Sequence, residues 1–207
     1  CNPYWWRPAF GPDGDLHLAW CWRDTPDART NHDLCYARSS DGGRMWRRSD
    51  GRPQPLPITP ENAETIDPVP SGSNLPNQCA SAVDRRGLPH LAHYQNDDAG
   101  IPQYVHLWHD GTQWRREFVG QRRTPFALAG RGSLQIPISR PEIAIAPDDS
   151  IIMITRDAEA GGGIRLARSG RAGEGWEETT LLNENLGDWE PTYDLNRLRD
   201  AGILSLF

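Results

Sequence analysis

Two kinds of side chain in this sequence suit moving a proton, and a third suits holding an anion. His32 follows the segment DTPDARTN, Tyr104 follows NDDAGIPQ, and RRTPFALAGRGSLQIPISR carries Arg122, Arg123, Arg131 and Arg140 with no acidic residue among them. An imidazole, with an ordinary pKa of about 6.5, suits general acid/base work, and a phenol near a cation has its pKa pulled below about 10. Guanidinium groups free of neighbouring carboxylates suit a carboxylate or a sulfate. The plain alternatives are a His and a Tyr that finish strand ends, and arginines that face water.

Other residues suggest further chemistry. His90, His93, His106 and His109 form two HxxH spacings. Residues three apart on a strand point to opposite faces, so neither pair chelates alone. One His from each, meeting across a hairpin with Cys79, would make a structural divalent-metal site; otherwise no metal and no cofactor is expected. Trp5, Trp6, Trp20, Trp22 and Trp189 invite a sugar-stacking reading; Trp20 and Trp22, which alternate with Cys21, read instead as blade packing, and Trp189, in GDWEPTYD, is the better candidate. Cys1, Cys21, Cys35 and Cys79 show no CxxC spacing. Two buried thiols at Cys21 and Cys35 are expected rather than a disulfide across their hairpin.

The elements that must position these groups follow from an internal repeat. GDLHLAW from Gly14, GLPHLAH from Gly87, DSIIMIT from Asp149 and GILSLF from Gly202 align, at intervals of about 50 to 75 residues. Each follows a short apolar segment and a turn. Behind the first three come HDLCYARS, QYVHLWHDG and GGGIRLARS, then strands led by Trp46, Trp114 and Trp176. Four short strands per unit, with Gly, Pro and Asp turns and no helical stripe, predict an all-β chain. Irregular spacing of four-stranded units predicts a β-propeller, present as an incomplete arc of about three and a half blades over roughly 6–50, 77–120, 139–182 and 189–207. Gly14, Gly87, Asp149 and Gly202 are then expected in equivalent turns.

Ser39–Trp46 reads SSDGGRMW, which fits the Asp-box S-x-D-x-G-x-T-W except at Met45. In that pattern Asp41 and Gly43 shape a turn and Trp46 plugs it, so Asp41 is a structural residue. Function belongs instead to the loops at the opposite end of the strands: 24–31, 96–103 and 157–163 between the second and third strands, and 51–77, 120–140 and 183–189 between blades. Two of the latter exceed about 20 residues, which favours a functional role.

The net charge is −6, and every basic residue is an Arg. That acidic balance argues against nucleic acid as the main partner. No run of about 18 apolar residues exists to cross a membrane. The chain starts at Cys1 and stops in the apolar segment GILSLF, so both ends read as truncations.

The segments NHDLCYARSSDGGRMW, GIPQYVHLWHDGTQW, RRTPFALAGRGSLQIPISRP and NLGDWEPTYDL together resemble the BNR (Asp-box) repeat proteins related to the ulvan lyases, which are polysaccharide lyases. The resemblance implies a seven-bladed parent, secretion or a periplasmic location, an acidic polysaccharide as partner, and β-elimination at a uronate. By motif it implies His32 and Tyr104 as proton-transfer residues and Arg123, or its neighbour Arg122, as the group that neutralises the uronate. Asn31, Arg122, Arg140 and Trp189 are expected to contact substrate. Three other readings stay open: a non-catalytic glycan-binding propeller, a sialidase-like glycoside hydrolase for which Glu190 and Tyr193 would be offered, and a structural interaction scaffold.

Overall fold

Strand follows strand through most of the computed structural model, which describes all 207 residues. The first sheet contains β1 (Asn2–Trp5), β2 (Ala9–Phe10), β3 (Leu16–Arg23), β4 (Asn31–Ser39), β5 (Trp46–Arg47), β6 (Pro53–Gln54) and β7 (Glu64–Asp67). The second contains β8 (Ala80–Val83), β9 (Pro89–Asn96), β10 (Pro102–His109) and β11 (Trp114–Val119). The third contains β12 (Glu142–Ile145), β13 (Ile151–Arg156), β14 (Ile164–Ser169) and β15 (Glu177–Leu182). A single helix, α1 (Leu195–Ala201), follows. The second and third sheets are four-stranded antiparallel meanders in chain order. The chain is therefore all-β in class, and no helix is long and apolar enough to cross a membrane.

Three of the four repeat anchors occupy the same turn. The N–H of Gly14 donates to Gly11 O at 3.0 Å, Gly87 to Asp84 O at 3.0 Å, and Asp149 to Ala146 O at 2.9 Å. Their φ angles of 86°, 78° and 64° are all left-handed, a conformation that glycine adopts freely and aspartate tolerates. Gly202 departs from the expected equivalence. It caps the C-terminus of α1 at φ 68°, and Asp194 caps the N-terminus by accepting from Arg197 N at 2.9 Å. Tyr193 and Leu206 still bridge as neighbouring strands would, so a helix has replaced the turn between them. An Asp, a helix-compatible LNRLRDA and a Gly carry start and stop signals that the repeat alignment passes over.

The first sheet departs from a simple meander at both edges. Its inner strand is split: β1 pairs with the end of β3 and β2 with its start, with Arg7 and Pro8 between. Pro8 has no N–H to give the ladder. On the far edge, β4 pairs with β5 only at Arg38–Arg47, and β7 takes over from Leu34 to Tyr36. The segment 51–77, expected as a loop, therefore supplies a strand that completes the sheet.

The second sheet lies between the other two. Alternation along β9 and β10 sends Leu91 and Leu107 towards the first sheet, where they pack with Trp6, Cys21 and Leu34. It sends Ala92, Tyr94 and Tyr104 towards the third sheet, against Ile143, Ile151 and Met153. Each outer flank is covered too. Ile58 and Ala63 pack on Trp20 and Trp22, while Tyr193, Leu198 and Leu206 pack on Ile152 and Ile154.

Two predictions follow from these turns and interfaces. No atom would touch a Cβ at Gly87, so Gly87→Ala pays only for its φ and should cost about 1 kcal/mol. Asp149→Gly should hold or raise Tm; chemical denaturation of the two variants checks both signs, and a neutral Gly87→Ala would contradict the strain account. His93 and His106 are buried between sheets, and burial lowers each from 6.5 to about 4. The unfolded chain takes up those protons first as the pH falls, so stability should drop from about pH 6.5 to about pH 4. A Tm that stays flat across that window would rule this out.

Candidate functional site

His32 and Tyr104 do not share a site. The β3–β4 register runs Cys21 opposite Leu34 and then Trp22 opposite His32, so Asp33 is an extra residue, held at φ 49°. A bulge of this kind moves every residue beyond it to the other face. His32 therefore shares the face of Trp22, which points away from the second sheet. Tyr104 lies on the second sheet's opposite face, towards the third sheet. Both the first and the second sheet lie between them.

The Tyr104 hydroxyl is already committed. It is buried and donates to the carbonyls of Arg156 at 2.9 Å and Ser139 at 3.2 Å, and burial pushes its pKa far above the ordinary phenol range. Arg122 is buried as well, ion-paired with Asp157 and donating to Thr124 O at 3.1 Å. Arg123 is exposed, and its backbone N–H donates to Glu159 at 2.9 Å. Tyr104, Arg122 and Arg123 line one cavity of about 350 Å³, but Asp157, Glu159 and Glu178 line it too. The arginine-rich loop has no acid of its own; the 157–163 turn brings two to it.

A second cavity, of about 570 Å³, opens where the three sheets meet at their loop ends. Arg23, Tyr94, Arg140, Arg156, Asp188 and Glu190 contribute its polar lining. Tyr94 has no exposed surface, and its hydroxyl has no hydrogen-bond partner. Burial holds its pKa well above the ordinary value, so the phenol keeps its proton. Arg156 is buried without a carboxylate partner; its Nε donates to Trp189 O at 2.8 Å. Arg140 is partly exposed and donates through Nε to Glu190 at 3.2 Å and through a terminal nitrogen to Gln78 at 3.3 Å.

Of the other expected residues, Asn31 is buried and donates to Leu75 O at 2.8 Å. The Trp189 indole donates to Phe207 O at 2.9 Å, and the partly buried ring packs on the third sheet. Glu190 and Tyr193 do not converge: Tyr193 lines a different cavity, beside Arg7 and Leu198. His90 and His106 do meet across β9 and β10, at 2.9 Å, with Glu117 3.0 Å from His106. Cys79 is not with them, because it packs in the cluster between the first and second sheets. All four cysteines are free, and burial pushes the Cys21 and Cys35 thiols up to about 12.

Tyr94 and Arg156 escaped the sequence reading. Tyr94 pairs directly with Tyr104 across the ladder, so the motif that pointed to one phenol was adjacent to the other. Arg156 ends a run of apolar residues, Ile151 to Ile154, and reads as the polar end of a core strand.

The family profile of BNR repeat-containing family members matches residues 1–122, more than half of the chain. The chain belongs to that family. No curated protein matches this BNR chain. Among solved structures, it is similar to a polysaccharide lyase described as a PL25 ulvan lyase, with a TM-score of 0.65 and 18% identity over 89% of this chain and 43% of that one. The same lyase has been solved bound to -[GlcA(1-4)Rha3S]-. The polysaccharide lyase Uly1 is similar at a TM-score of 0.57 and 13% identity, over 93% of this chain and 40% of that one. A protein of unknown function from Dyadobacter fermentans DSM 18053 is similar at 0.53 and 17%, over 89% and 51%. The BNR chain thus spans about half the length of these structures or less.

The two neighbouring arginines should respond oppositely to truncation. Arg122→Ala strands Asp157 in the interior and should cost about 3–5 kcal/mol, while Arg123→Ala should change stability by less than about 0.5 kcal/mol. Equal urea midpoints for the two variants would contradict this division.

Proposed function

We propose that this chain is part of a β-propeller that binds an acidic polysaccharide at the Tyr94–Arg140 cavity and cleaves it by β-elimination at a uronate. The observation that carries the reading is the Tyr94 hydroxyl, buried and unpartnered at a cavity edged by three guanidinium groups. A buried hydroxyl left unmatched costs about 1–3 kcal/mol, a penalty that a ligand oxygen would remove. The neighbouring lyases support the reaction class, and the sugar bound to one of them supports an acidic substrate.

In this reading Arg140 leaves Glu190 and clamps the substrate carboxylate, which makes a developing negative charge on the adjacent carbon bearable. Glu190, freed from Arg140, takes the C5 proton. The C4–O4 bond breaks as the C4–C5 double bond forms, and Tyr94, its hydroxyl uncovered as the substrate seats and Arg140 moves, passes its proton to the departing O4. Tyr104 acts as a positioning residue by holding the Arg156 carbonyl, and Arg123 contacts the polymer from the adjoining cavity. The remaining blades of a seven-bladed ring would supply the rest of the groove. The mechanism needs no cofactor, and a polymeric substrate places the protein outside the cytoplasm, secreted or periplasmic.

The test is an assay of the whole protein on uronate-containing and neutral polysaccharides, following the ultraviolet absorbance of unsaturated uronate. Product is expected only from the acidic polymers, and Tyr94→Phe should lower kcat by at least about a hundredfold with the fold intact. Arg140→Lys should raise KM and lower kcat, because an ammonium cannot clamp a carboxylate bidentately. Saturable binding without unsaturated product would favour a non-catalytic glycan-binding propeller. Undiminished turnover in Tyr94→Phe would remove this residue from the chemistry.

A further inference from the structure

His32 faces away from the cavity just described, and its surroundings suit a different task. Three potential ligand atoms, Cys1 Sγ, Asp24 Oδ1 and His32 Nε2, all lie within 4.8 Å of one another. His32 Nε2 is 3.3 Å from Asp24 Oδ1 and 3.9 Å from Cys1 Sγ. Around a tetrahedral zinc ion, bonds of about 2.0–2.1 Å to nitrogen and oxygen and about 2.3 Å to sulfur separate such donors by roughly 3.3 Å and 3.6 Å. The observed spacing is already close to that of a bound ion.

The imidazole is also presented correctly. Its other nitrogen, Nδ1, lies 3.0 Å from Asp33 Oδ2. A carboxylate there holds the proton on Nδ1 and leaves the Nε2 lone pair aimed at the other two donors, which is the usual outer support of a metal-bound histidine. Asp33 is itself fixed, as the bulge residue whose N–H donates to Val69 O at 2.8 Å. The three donors come from neighbouring strands: Cys1 precedes β1, Asp24 follows β3 and His32 lies in β4. The pairings Asn2–Arg23 and Trp22–His32 set them side by side through the backbone alone.

From this geometry we infer a zinc-class metal site formed by Cys1, Asp24 and His32, oriented by Asp33, with a fourth position open to solvent. Thiolate and imidazole favour zinc over calcium or magnesium, which take oxygen ligands. Cys1 and Asp24 are exposed and His32 is partly so, which leaves the open position accessible to water or to a further ligand. The ion would tie the first strand to the β3–β4 connection.

Cobalt(II), a spectroscopic stand-in for zinc, tests the site directly in the reduced protein. Titration should reach saturation at one ion per chain, with a thiolate-to-cobalt charge-transfer band that added zinc abolishes. Cys1→Ser should remove the band, while Cys79→Ser should keep it. His32→Gln should weaken binding at least tenfold, and Asp33→Asn should weaken it by about 10–100-fold while keeping the band. Circular dichroism of each variant verifies its fold. The inference is overturned if no thiolate band appears at one equivalent, if the band survives Cys1→Ser, or if a folded His32→Gln binds cobalt as well as the parent does.

Discussion

The second sheet is buried on both faces, and the rest of the molecule is arranged around that constraint. Every residue of β9 except Asn96, and every residue of β10, is withdrawn from solvent. Its apolar side chains serve two interfaces by simple alternation, each contributing about 1.5–3 kcal/mol on burial. Its polar side chains must then find partners inside the stack. His93 bonds Gln95, His90 bonds His106, and Gln103 bonds Asp97 and the backbone of Arg122. Imidazoles and amides on these strands are therefore largely spent on cohesion. Reactive groups are left to the strand ends, where backbone ladders stop and the loops begin.

Arginine does much of the joining between sheets. Arg7, next to the break in the first sheet's inner strand, makes a two-pronged bond to Glu142 of the third sheet at 2.8 and 2.9 Å. Arg116 of β11 reaches Asp67 of β7 at 3.2 Å. Arg122 and Arg156 are buried and hold loop carbonyls in place. A planar guanidinium can satisfy several acceptors at fixed angles, which an ammonium cannot. The all-arginine basic composition thus has a structural use here, and Arg140 stands apart because its partly exposed head borders an open cavity.

The sheet class and most turn positions were legible in the sequence because they rest on local rules: alternation along β9, β10 and β13, and left-handed residues at Gly14, Gly87 and Asp149. The failures arise where distant pairing decides. Nothing local says that 64–67 returns to the edge of β4, or that Pro8 splits an inner strand between two halves of β3. LNRLRDAG has helix capping signals, but the repeat frame favoured a turn. At the site, sequence spacing brought Tyr104 and Arg122 to one cavity and could not show that Asp157 and Glu159 would meet the arginines there. The placement of His32 failed for a sharper reason, since an alternating pattern carries no mark of a bulge.

That bulge has a consequence for how sites of this kind can diverge. Asp33 is the single residue that decides which surface of the first sheet receives the imidazole. Were Asp33 to take the ladder position opposite Trp22 instead of bulging, strict alternation would return and His32 would swing from the outer flank to the inner interface, with Asn31 turning the opposite way. In a fold made of stacked sheets, a bulge formed or flattened beside a strand end can move a functional group between two neighbouring clefts, leaving the core residues further along the strand where they were.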